Sequence, residues 1–451
     1  MRLGIDFGTT RTVVAACDRG NYPVISFDTP KSETQEFFPS VIAEKDGELR
    51  FGFEALERRG DPGWTLCPSF KRWLSSPEAT PGRKIRVGSV ELNLIEVVAR
   101  YLEALKHALL TASNLPLPNT AARRRTPLEA TVATPANAFS TQRLVTLEAF
   151  RRAGFDVVSM LNEPSAAGVE YAHRYRNTLN SRREKVLVYD LGGGTFDVSL
   201  VDMQGRAHDV VTSRGLNRLG GDDIDDVLVN LALGQAKLPR KELSLASLVE
   251  LAQHCRELKE AINPNTRKIH VELGRSLSAA DRARLKLAEG HVEMVPVDAF
   301  DAACAPLLDR TLELVRQTLG QNGVTNGAAD ADDDDAAKGI AGLYVVGGAS
   351  ALPAVARALR ADYGRRVRRS PYPSGAIAIG LAIAADEAAE YQLKDRFHHN
   401  LGVFREVHGG AQIGFDRIIG PETAVPSPGG KPVQLSRRYR ATHNVGHFRF
   451  I

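Results

Sequence analysis

The stretch Asp190-Leu-Gly-Gly-Gly-Thr-Phe-Asp-Val-Ser199 decides how this 451-residue chain is read. A β-rich run, Lys185-Val-Leu-Val-Tyr189, leads into an acid and three glycines, and a second apolar alternation, Phe196, Val198 and Leu200, leads out. Period-two spacing on both sides of a glycine run predicts a hairpin with a glycine-rich turn and Asp190 on its flank. With no Cβ in the way, such a loop lets backbone N–H groups approach a phosphate. An acid beside it can hold Mg²⁺, usually through water, because the ion keeps much of its hydration shell. Taken alone, the stretch also fits a tight turn with an incidental acid.

The pattern recurs near the N-terminus as Leu3-Gly-Ile-Asp6-Phe-Gly8-Thr9-Thr10, followed by the apolar Val13-Val-Ala15. Two such hairpins far apart in one chain predict two similar lobes facing across a cleft. Two phosphate loops, each with an acid, would then clamp a nucleoside triphosphate and its metal from both sides. The hairpins resemble the phosphate loops of the actin-like ATPases, and their wording is similar to that of the DnaK-type, seventy-kilodalton heat-shock chaperone family. The resemblance implies an α/β fold with two ribonuclease-H-like lobes around a nucleotide cleft. It places ATPase lobe I at 1–176, lobe II at 177–386, a linker at 387–400 and a truncated, substrate-domain-like β segment at 401–451.

The bulk numbers suit that reading. At 451 residues the chain is long for one core and suits two or three domains. It is 43% hydrophobic and 25% charged, with a net charge of +4, which gives no reason to expect nucleic acid or a membrane surface as main partner. No apolar run approaches the roughly 20 residues of a membrane helix. No basic-then-apolar leader precedes the first strand, so a cytoplasmic protein is expected. Cys17, Cys67, Cys255 and Cys304 stand apart and are expected as buried thiols rather than disulfides or zinc ligands.

Several residues take roles from the resemblance. In Pro68-Ser-Phe-Lys71-Arg-Trp-Leu74, Lys71 matches a family lysine that reaches the γ-phosphate and attacking water, although a lone lysine beside aromatics also suits a solvated face. Asn162-Glu163-Pro164-Ser-Ala-Ala167 puts a carboxylate at a strand end and a proline in the first turn of an Ala-rich helix. Glu163 is expected in the metal's water shell or positioning the attacking water. Asp6 and Asp190 are the other expected metal residues, and Asp197 would order water nearby. Gly8, Thr9, Thr10, Gly192, Gly193, Gly194 and Thr195 would hold phosphates, with Thr195 and Lys71 supporting in-line attack. Gly220 and Gly221 match a further phosphate-side turn, Lys259 a ribose-contacting lysine, and Gly347 and Gly348 the third nucleotide loop. Pro135 and Arg143 match residues that relay nucleotide state, with Pro135 as a plain strand terminator the alternative.

The sequence departs from the family at the adenine clamp. Glu260 and Ala351 stand where the family has arginines, and neither a carboxylate nor a methyl stacks on a base as a guanidinium does. Asn93 is expected to cap an amphipathic helix running to about Ala112, whose apolar stripe is core packing. Arg123-Arg-Arg125 fits a solvated loop, the acidic run at 325–339 a loop between helix and strand, and His398 and His399 solvated side chains. The polar 387–400 segment and the few strands after it do not make a closed sandwich. The implied function is that of an ATP-dependent, chaperone-like ATPase using ATP/ADP and Mg²⁺, with unfolded proteins or co-chaperones as partners. The alternatives are a nucleotide-gated binding protein with little or no hydrolysis, a small-molecule kinase of the same superfamily, and a filament former.

Overall fold

Two mixed sheets built to one plan carry the two glycine hairpins. The structure is a computed structural model that describes residues 1–451 except 77, 118–125, 176–178, 180–183, 205–206, 323–339, 390, 394–399, 409–410, 421–422, 424–430, 440–448 and 451. The acidic run at 325–339, Arg123 to Arg125, and His398 and His399 therefore lie outside the described residues.

The first sheet holds β1 (Arg2–Phe7), β2 (Arg11–Ala16), β3 (Phe38–Pro39), β4 (Glu129–Thr134) and β5 (Asp156–Asn162), in the order β5-β4-β1-β2-β3. The second holds β6 (Lys185–Leu191), β7 (Phe196–Gln204), β8 (Ala207–Leu216), β9 (Ile340–Val346), β10 (Val367–Arg369) and β11 (Gln392–Leu393), in the order β10-β9-β6-β7-β8-β11. In each sheet the first two strands form an antiparallel hairpin. The first strand then pairs in parallel with the fourth, and the fourth with the fifth. The repeat inferred from two short motifs thus extends to whole sheets, and the α/β class is as expected.

The strands read as near-continuous apolar runs because helices cover the sheets. Over the first sheet, Leu94–Thr111 buries Leu94, Val98, Leu102, Leu105 and Leu109 on one stripe. Asn93 does occupy its N-cap position, but its side chain makes no capping bond there. Over the second sheet, Gly221–Gln235 and Val297–Gln321 pack Leu228, Phe300 and Val315 against Leu187, Tyr189 and Val198.

The helix Ala376–Ala385 joins the two halves. Glycine is required twice at this contact. A Cβ on Gly4 of β1 would lie 2.2 Å from the Ala378 carbonyl oxygen, and one on Gly380 would lie 1.9 Å from that of Ala166 in the helix Glu163–Arg174. Backbones approach this closely only where no side chain intervenes.

Two expectations need correction. Cys255 and Cys304 are buried free thiols, but Cys17 and Cys67 are only partly buried. Within the segment expected as a linker, β11 pairs in parallel with β8 through Ala207 and His208, so part of it belongs to the second sheet. After it, Leu401–Val407 pairs with Gln412–Ile419 and with Arg449–Phe450 in a three-stranded sheet.

Candidate functional site

Asp6 and Asp190 hold equivalent places on the first strands of the two sheets. Each ends a buried strand where the chain turns into glycine and hydroxyl residues, so each carboxylate is carried to the strand's end by the core beneath it. Glu163 opens its helix directly after β5, with Pro164 in the first turn, where its missing N–H costs nothing. Lys71 lies in the short turn Phe70–Ser75 and is buried. These elements surround one cleft of about 830 Å³, its open mouth included.

Of the residues expected at the site, Asp6, Gly8, Thr9, Thr10, Lys71, Glu163, Asp190, Gly192, Gly193, Thr195, Gly221, Lys259, Gly347 and Gly348 line this cleft. Three do not. Gly194 and Gly220 pack behind it: a Cβ on Gly220 would meet Gly193 and Gly194 backbone at 2.7 Å, and one on Gly194 would meet Thr9 Cγ2 at 2.7 Å. Asp197 sits beside Asp190 as its direct partner in the β6–β7 register, on the same face of the sheet, and is buried rather than among the cleft-lining residues. Thr195 hydrogen-bonds to its carboxylate, while Oδ1 is buried without a protein partner.

The two glycine loops touch one another. A Cβ on Gly193 would lie 2.5 Å from Thr10 Cγ2 and 2.6 Å from Thr10 Oγ1. Only glycine lets the second loop seat against the hydroxyls of the first.

The electrostatics are those of crowded acids with one nearby cation. Lys71 Nζ lies 3.3 Å from Glu163 Oε1, both side chains nearly buried, and 5.4 Å from the Phe7 ring centroid. Burial pushes the Asp6 carboxyl up to about 7, the Glu163 charge pushes the same way, and Lys71 opposes both. Burial and Glu163 likewise hold Asp197 at about 7, against Lys71. Asp190 is raised well above the usual carboxylate range by burial, then by Glu163, Asp197 and Asp6. Groups pushed this far in a cleft mark a site that gains when a cation enters.

The far end of the cleft is a charge network. Lys259 Nζ is 2.6 Å from Asp225 Oδ1 and donates to the Gly221 carbonyl at 2.9 Å. Arg256 donates to Asp222 at 2.7 Å and to Asp225 at 3.1 Å. Glu260 forms an ion pair with Arg11. Ala351 does not line the cleft; Ala349 does. Further pairs bridge the two halves: Arg59 to Glu250 and Glu257, each at 2.6 Å, Ser69 Oγ to Asp222 at 2.6 Å, and Arg72 to Asp223 at 3.1 Å. Beside Glu163, Arg143 donates to Asn162 Oδ1 at 2.5 Å and to the carbonyl of Pro135 at 3.4 Å, so the two expected relay residues are in contact.

A family model described as Hsp70 protein matches residues 95–405, well over half of the chain. The chain belongs to the Hsp70 family. Membership brings nucleotide binding and a chaperone-like function at the level of the family. The Hsp70 match takes in Glu163, Asp190 and Lys259, while Asp6 and Lys71 precede it.

The donor set of this Hsp70 chain suits Mg²⁺ held through water. Asp6, Glu163 and Asp190 supply hard oxygens, and a cation would offset the burial and the neighbouring negative charge that raise Asp6 and Asp190. Among the described residues, no three acids, histidines or cysteines come close enough to chelate an ion directly. Among the same residues, no helix is long and apolar enough to cross a membrane.

Arg11, Arg72, Asp222 and Arg256 were not found from the sequence. Arg11 carries a readable signal, since it follows Thr9-Thr10 directly in a phosphate-loop hairpin. Asp222 carries one too, since it follows Gly220-Gly221 directly, whereas the pairing of Arg72 and Arg256 depends on how the chain packs.

Proposed function

We propose that this chain binds Mg·ATP between two actin-like lobes, 1–176 and 177–386, and hydrolyses it to ADP and phosphate, coupling lobe motion to the binding of protein clients or partners. One observation carries the reading: Asp6, Glu163, Asp190, Lys71 and both glycine loops converge on a single cleft.

Backbone N–H groups of Gly8 to Thr10 and of Gly192 to Thr195 would hold the phosphates, with Gly221, Gly347 and Gly348 completing the cradle and Lys259 at the ribose. Asp6, Glu163 and Asp190 would hold Mg²⁺ through its water shell. Held there, Mg²⁺ would supply positive charge that offsets the negative charge of the phosphates. Glu163 accepts a hydrogen bond from the attacking water, and Asp197 steadies Thr195 behind it. The Lys71 ammonium meets the charge that grows on the γ-phosphate oxygens. Lys71 pairs with Glu163, so a small displacement of that ammonium suffices to serve either partner.

A second reading, nucleotide-gated binding with little or no turnover, is favoured by Glu260 at the base end, where a carboxylate replaces a stacking plane. Titration calorimetry with ATP and ADP, beside a phosphate-release assay, separates the two. Binding with single-turnover hydrolysis that collapses in Lys71→Ala supports the ATPase. Binding without phosphate release supports the gated binder, and absence of binding removes both.

A further inference from the structure

The base end of the cleft poses a problem of shape. Among the described residues that line it there is no phenylalanine, tyrosine or tryptophan. The flat groups are the guanidinium planes of Arg11 and Arg256. Arg256 is committed, since it bonds Asp222 and Asp225 and is largely buried between them. That leaves Arg11.

Arg11 is built as a platform. It opens β2, and its register partner in β3 is Pro39, which brings Phe37 alongside. Its guanidinium carbon lies over the Phe37 ring, 4.3 Å from the centroid, where the ring's negative face attracts the cation. Glu260, the last residue of the helix Leu245–Glu260, holds the guanidinium by its edge through the ion pair. A guanidinium plane has two faces, and the Phe37 ring lies to one side of the group. With the side chain still 29% exposed, the plane is not sealed. Arg11 also lines an adjoining cavity with Thr34, Gln35, Phe37 and Tyr372, and Val13 and Ser374 are shared between the two spaces. On the nucleotide reading, a triphosphate laid from the glycine loops past Lys259 would bring its base to this boundary.

We infer that Arg11 is the base-stacking residue of this site. Phe37 backs it, Glu260 orients it, and a purine or other planar heterocycle stacks on its open face. The clamp comes from the first sheet, and the carboxylate at position 260 serves as its anchor. This rests on the nucleotide reading above.

The test is calorimetric binding of Mg·ATP, Mg·ADP and magnesium tripolyphosphate to the full chain. Arg11→Ala should weaken ATP and ADP by roughly ten-fold, the scale of a desolvated cation–π contact, and leave tripolyphosphate unchanged. Arg11→Lys should recover little, because an ammonium has no plane. The exchange Arg11→Glu with Glu260→Arg should recover most of the loss by supplying the guanidinium from the helix. Tripolyphosphate binding shows that each variant keeps a folded cleft. Unchanged ATP affinity in Arg11→Ala, full affinity in Arg11→Lys, or equal loss of ATP and tripolyphosphate each overturns the inference. If the unmodified chain binds tripolyphosphate but not ATP, the base platform is wrong and the phosphate loops stand. If it binds neither, the nucleotide reading itself fails.

Discussion

Lys71→Met keeps the stem of the side chain and deletes the ammonium. In the structure that ammonium sits 3.3 Å from Glu163 Oε1, with the two side chains 10% and 8% exposed. At this separation the Coulomb attraction is about 5 kcal/mol for an effective dielectric constant of about 20, and recovered desolvation of the ammonium offsets part of it. Removing one partner of a buried pair costs about 3–5 kcal/mol. The same ammonium also lowers the pKa of Asp6, Asp190 and Asp197. Without it, those carboxyls hold their protons to still higher pH. A folded-state pKa above the unfolded one means that the folded state binds more protons between the two values, so stability falls as pH rises through that window. For Asp6 and Asp197 the window runs from 3.8 to about 7 in the unmodified chain and is extended upward by the substitution. The destabilisation should therefore be full near about pH 8 and shrink toward about pH 5, where protonated carboxyls no longer need the cation. For a unit the size of the first sheet and its helices, the full loss is on the order of 10 °C in Tm. Thermal unfolding of the nucleotide-free protein and of Lys71→Met at both pH values reads this directly. A loss of equal size at both would refute the picture of one ammonium serving a cluster of acids.

Three further outcomes follow from single contacts. Gly347→Ala should weaken Mg·ATP binding at least ten-fold by calorimetry, because Gly347 has φ +86° and its added Cβ would stand 2.4 Å from Asp190 Oδ1; unchanged affinity would mean that Asp190 does not contact the bound ion's shell. Asp281→Ala should cost about 2–3 kcal/mol in denaturant unfolding near neutral pH, because its carboxylate accepts from Ser244 N, Ser244 Oγ and Ser247 Oγ at 2.9, 2.7 and 2.6 Å. Those bonds hold its pKa below the ordinary carboxylate range, so the unmodified chain should lose this contribution only in strong acid, and the gap between the two proteins should close there. Arg59→Ala should speed nucleotide release by less than about ten-fold at low salt, since it opens two partly exposed pairs to Glu250 and Glu257; a difference that survives high salt would count against an electrostatic latch.

What the sequence reveals and what it hides divide along a physical line. Asp6, Asp190, Glu163 and the glycine loops are legible because acid, glycine and alternating apolar residues act within a few positions of one another. The helix Leu94–Thr111 is legible for the same reason. Arg11 with Glu260 and Arg59 with Glu250 are not, because they join residues 249 and 191 positions apart whose meeting depends on how the two halves pack. Local pattern also misleads in places. Asn93 has the right type and place for a cap yet makes no capping bond. Asp197 is expected to order water near the metal, but it is buried beside Asp190 in the strand pair and does not line the cleft.

In the proposed function, Asp6 and Asp190 share one magnesium-bound triphosphate. The most direct measurement is titration of ATP into the chain with and without Mg²⁺, near about pH 7, in buffers of different ionisation enthalpy. One magnesium-dependent site should fill with release of protons, because Asp6 and Asp190 give them up as the cation arrives, and both signals should be lost in Asp6→Ala/Asp190→Ala. Binding that ignores magnesium, releases no protons and survives the double substitution would contradict it.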